Sequence, residues 1–98
     1  MNQITKVSEI NYQDVAEYNR LGELDQDDIN TLNNLIEIAK TFIRSYTGQQ
    51  DLDLFQDFVI VVFVLVQDMW DNRTLYPDVS NLNYVIESIL GMHQVNLL

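Results

Sequence analysis

FVIVVFVLV, residues 58–66, is a run of nine apolar residues in a 98-residue chain with a formal net charge of −10. A membrane span, a central strand and a helix covered on more than one side would each account for it. The membrane span fails on length. Nine helical residues cover about 14 Å, against a hydrocarbon core of roughly 30 Å. Gln56 and Asp57 close the run on one side, and Gln67 and Asp68 close it on the other. No membrane partner is therefore expected.

Between strand and helix, composition and length disagree. Five valines and one isoleucine favour a strand. The flanks favour a helix, because Asp51 or Asp53 offers a cap and Asp53 with Gln56 resembles a capping box. Met69 and Trp70 continue a helical pattern through Leu54 or Phe55, Phe58, Val62 and Leu65 or Val66. The resulting element, about eighteen residues long, exceeds an ordinary strand. A helix is predicted.

A helix apolar all round must be covered all round. Two or three partner helices in so short a chain would cover it only barely, so its second face is expected to pack against another subunit, a purely internal core helix being the alternative. Val59, Val61, Val64 and Val66 are the residues expected at that boundary, with Trp70 and Arg73 as anchors at the helix end. Trp70 is equally well read as core. Val95, Leu97 and Leu98, in an apolar tail over residues 92–98, are expected to dock on the domain or on a neighbour.

The rest of the chain completes an all-α bundle of about four helices in one domain over residues 1–98. A short helix is predicted over residues 11–21, with Gly22 as its stop. A long one is predicted over residues 26–47. Its stripe runs through Ile29, Leu32, Leu35, Ile36, Ala39, Phe42, Ile43 and Tyr46, with acids at its start and Gly48 at its end. A last short helix, over residues 81–90, has Leu82, Val85, Ile86, Ile89 and Leu90 as its stripe, Ser80 as N-cap and Gly91 as stop.

Fifteen acids against five bases argue against nucleic-acid binding through a charged face. With no cysteine there is no disulfide framework and no thiolate chemistry. The start MNQITKVSEI lacks the basic and apolar regions of a signal peptide. Catalytic residues, cofactors and metals are not expected. The single histidine, His93, reads as a surface or interface residue. The acidic stretch ELDQDDIN lacks the glycine and the final glutamate of a calcium loop, and helix capping explains its aspartates. Asn72-Arg73-Thr74 matches a glycosylation sequon by coincidence.

Three segments, in order, carry a resemblance: DQDD leading into a long helix that ends in IRSYTG (residues 43–48), an apolar helix ending in WDNR (residues 70–73), and VIESIL (residues 85–90). In order and spacing the chain resembles the small head–tail connector, or head-completion, proteins of tailed bacteriophages. The likeness covers roughly residues 10–90; the N-terminal stretch is longer than the usual form. It implies a non-enzymatic virion protein, made in the host cytoplasm, that forms a ring under the portal protein. The family expectation is about twelve copies in a closed heterologous ring. Such a ring extends the DNA channel without binding DNA specifically, and it offers a docking surface to a stopper or tail protein. Two other readings compete: an acidic DNA-mimic inhibitor, which needs carboxylates spaced like phosphates over one face, and a generic helical oligomerisation module.

Overall fold

The computed structural model describes residues 4–78 and 83–95. Among them the regular structure is entirely helical. A 3-10 turn at Val7–Glu9 precedes α1 (Tyr12–Tyr18), α2 (Gln26–Thr47), a second 3-10 turn at Leu52–Leu54, α3 (Phe58–Asn72) and α4 (Tyr84–Met92).

Side-chain caps fix where the first helices start. Asn11 and Asp14 cap α1 reciprocally: each side chain accepts the other's backbone N–H, at 3.1 and 2.9 Å. Asp25 and Asp28 do the same for α2, at 2.8 and 3.2 Å. The bounds predicted for α2 are those observed, and Gly48 ends it in the left-handed region at φ 76, its N–H bonded to Arg44 O at 2.8 Å. α1 is shorter than predicted. It stops at Tyr18, and the chain turns at Arg20 (φ 54) rather than at Gly22. The closing bond runs from Leu21 N–H to Ala16 O at 2.9 Å.

The 58–66 run is helical, but the helix begins later than its flanks implied. Asp51 caps the separate turn at Leu52–Leu54 by accepting the Asp53 N–H, and Phe55 then takes extended backbone. Asp53 does not cap α3; it accepts the Ser8 N–H at 2.9 Å and so ties the two 3-10 turns together. α3 starts after Asp57, whose side chain makes no cap bond.

α2 and α3 are antiparallel neighbours, with Thr31 and Leu35 from the start of α2 beside Met69 and Trp70 at the end of α3. α1 and α4 each pack on both, and the Val7–Glu9 turn lies on α3. These four elements cover α3. Phe58, Val61, Val62, Leu65, Val66 and Met69 have no exposed surface in the single chain. Each such side chain contributes about 1.5–3 kcal/mol of burial. The expectation that another subunit is needed to bury the second face of this helix is therefore corrected. What stays partly open is a stripe through Ile60, Val64 and Trp70.

α4 also departs from its prediction. It begins at Tyr84, three residues later than predicted, with Asn83 as N-cap accepting the Ile86 N–H at 2.9 Å, and it runs through Gly91 to Met92. Ile86 and Leu90 point inward, whereas Val85, placed on the stripe, is 63% exposed. Ser80 and Leu82 lie outside the described residues.

Candidate interaction surfaces

Three surfaces come together from these elements. The largest is a groove of about 530 Å³ between Ile4, α1 and the outward stripe of α3. Tyr18 stacks on Phe63 with ring centres 4.9 Å apart and forms one wall. Val59 and Ile60 extend the apolar lining, and Gln56 and Asp57 close the polar end. A second groove, about 330 Å³, lies between Ile38 and Phe42 of α2 and the Tyr76-Pro77 segment. The third surface is the outer side of α4, where Tyr84, Val85 and Met92 are exposed along one side of the helix.

The residues predicted at a subunit boundary divide among core, edge and surface. Val61 and Val66 are fully buried in their own chain, so neither offers a face to a neighbour, whereas Val59, 8% exposed, lines the α1–α3 groove. The prediction for Val61 and Val66 is corrected: helix periodicity reveals that a residue is apolar, not which of several partners covers it. Val64 and Trp70 are partly buried, and Arg73 is exposed. Leu97 and Leu98 lie outside the described residues.

The tail docks on its own chain as far as Val95. The Val95 N–H donates to Thr47 O at 2.6 Å, and the Gln49 side-chain amide donates to His93 O at 2.9 Å. His93 Nε2 lies 2.9 Å from Asp57 Oδ2, with its ring centre 4.0 Å from that of Phe55. The histidine thus fastens the tail to the start of α3. Gly48 permits the close approach, because a Cβ there would meet the Val95 Cβ at 3.3 Å.

Most acids at helix starts are engaged locally, Asp14, Asp25, Asp28 and Asp51 all serving as caps. The Asp53 carboxyl is held below the ordinary aspartate range by hydrogen bonds from the Ser8 hydroxyl and then the Ser8 N–H, against a small opposing effect of burial. Among the described residues no group of three or more His, Cys, Asp or Glu side chains is placed to hold a metal. No described helix is long and apolar enough to cross a membrane.

Sequence reasoning missed Leu54, Leu75, Tyr76 and Tyr84 as exposed apolar side chains. The first three sit in loops and turns, where periodicity says nothing. Tyr84 carried a usable signal, since it falls off the Ile86–Leu90 stripe. Compared with protein-family models, curated proteins and solved structures, the chain matches none of them.

Proposed function

We propose that this chain is a structural subunit of a bacteriophage head–tail connector, a virion protein that assembles as a ring beneath the portal, extends the DNA channel and receives a stopper or tail protein. The observation that carries the reading is the order of three segments within an all-helical chain. An acid-capped long helix closes with IRSYTG at a left-handed glycine, an apolar helix closes with WDNR at a left-handed arginine, and a short VIESIL helix follows.

The surfaces support that reading. A subunit in a closed ring needs two different faces, one for each neighbour, and further area for the proteins above and below. The α1–α3 groove and the outer side of α4 are apolar and distinct. The net charge of −10 suits a channel wall, because carboxylates repel phosphates and let DNA slide without adhering. The same acids weigh against a DNA mimic, since several are tied up as helix caps rather than spread as a free array.

The test is to mix the purified protein with the portal assembly encoded beside it and image the particles by electron microscopy with rotational averaging. An added ring on the portal axis is the expected result. Portals left bare at saturating protein would overturn the connector reading and leave the generic oligomerisation module.

A further inference from the structure

We infer that Arg73, held over the indole of Trp70, is an anchor for a carboxylate that a partner protein presents beside an apolar side chain. The inference rests on reading the chain as a docking subunit, and it names the chemical group the partner brings.

The backbone supplies the first observation. Arg73 sits in the left-handed region at φ 57 and ψ 40, at a helix end where glycine fits without strain and residues with a Cβ do not. The bonds that close α3 there are Arg73 N–H to Trp70 O and Thr74 N–H to Met69 O. Both are main-chain bonds that glycine would make equally well. The helix dipole favours a cation near this terminus, but a base one turn earlier in helical backbone would satisfy it without strain. What arginine adds is its guanidinium, which lies 5.6 Å from the centre of the Trp70 ring. It has no hydrogen bond or ion pair among the described residues, although fifteen acids are available in the chain. By contrast Lys40 is paired with Glu37 at 3.1 Å, and Arg44 Nε donates to Gln50 O.

The surroundings define the ligand. Beside the guanidinium is a notch of about 150 Å³, with Thr31, Leu35 and Met69 in its lining and Leu75 at its side. Leu35 and Met69 are buried and form an apolar floor, whereas Leu75 is 64% exposed and stands at the rim. A planar cation on an aromatic wall above an apolar floor fits a branched aliphatic group that carries a carboxylate. A nucleic-acid phosphate brings nothing for the floor, and the net charge opposes a polyanion.

The experiment is an NMR titration of the full chain, following the indole N–H of Trp70, the single tryptophan. The probes are 4-methylpentanoate, its neutral amide and inorganic phosphate, at constant ionic strength. A saturable shift with the carboxylate is expected, about tenfold weaker with the amide, as follows from losing one charge-assisted hydrogen bond. Phosphate should be weaker too. Arg73→Gly should abolish the shift while melting at the same temperature or higher, because glycine relieves the left-handed backbone. Equal responses to the amide or phosphate, no saturable shift, binding retained by Arg73→Gly, or a lower melting temperature for that variant would each overturn the inference. No phage component enters the titration, so its failure and a bare portal are separate outcomes.

Discussion

Truncating Val61 and Val64 to alanine, one at a time, tests how α3 is covered. Val61 has no exposed surface, whereas Val64 belongs to the partly open stripe three residues on. Each substitution removes two methyl groups. At Val61 the lost burial is about 0.8 kcal/mol per carbon, and the cavity left behind adds to it, for a total of about 2 kcal/mol. At Val64 solvent fills the space and the loss is about 0.5 kcal/mol. In a domain of this size 1 kcal/mol moves the melting temperature by about 4–8 °C, so Val61→Ala should lower it by about 8–16 °C and Val64→Ala by about 2–4 °C. The assay is thermal unfolding by circular dichroism, repeated across a wide range of protein concentrations. If Val61 is core, its loss is the same at every concentration. Equal losses at the two positions, or a Val61 effect that grows with concentration, would refute the assignment and restore Val61 to a subunit boundary.

Gly48→Ala should destabilise the protein by at least about 1 kcal/mol, because the new Cβ meets a left-handed backbone and the Val95 side chain together; an unchanged melting temperature would contradict this. His93→Ala removes the contact with Asp57 and the ring packed on Phe55, so the Val95 N–H should exchange with solvent roughly fivefold faster or more, for a loss of about 1 kcal/mol. Unaltered exchange would show that the histidine does not fasten the tail. Asp53 has a depressed folded-state pKa, so its contribution to stability is present above the unfolded value and lost as the pH falls through the folded one. Ser8→Ala should move the Asp53 titration midpoint upward toward the ordinary range, as read by carboxyl NMR, and a midpoint that stays put would assign the shift to another cause.

Much of the fold was legible because capping and periodicity are local. α2 shows this best: its stripe, its acids and its closing glycine all lie within the stretch that forms it. The late start of α3 was not legible for the opposite reason. Asp53 has the spacing of a helix cap, but it is drawn to Ser8, forty-five residues away, and only the tertiary structure brings that donor near. The stop of α1 was obscured by Arg20, since a left-handed arginine gives no signal of the kind glycine does. The interface residues were the least legible. Val61 and Val64 are the same residue type on the same helix, and only the positions of α1, α2 and α4 separate core from edge. The place of Trp70 and Arg73 at the helix end identifies them as candidate anchors from sequence. The notch beside them depends on Thr31 and Leu35, which the antiparallel packing of α2 supplies.

The self-contained core bears on how the proposed ring would form. If α3 needed a neighbour to cover it, the subunit would have no stable monomer and its folding would be tied to protomer concentration. The structure buries the core side chains of α3 within one chain, so on the proposed function folding would not have to wait for assembly. Subunits carrying ten net negative charges repel one another in free solution, and the open apolar surfaces are shallow grooves and one helix side rather than an exposed core. On the proposed function these features act together. As proposed, folded subunits would remain apart until a portal holds them side by side. The local concentration would then offset the repulsion, and the grooves and a cation such as Arg73 would determine which contacts form. Higher salt screens the repulsion between exposed acids over roughly 10 Å or less, so self-association without a portal should strengthen with ionic strength. A ring held together mainly by ion pairs would respond in the opposite direction.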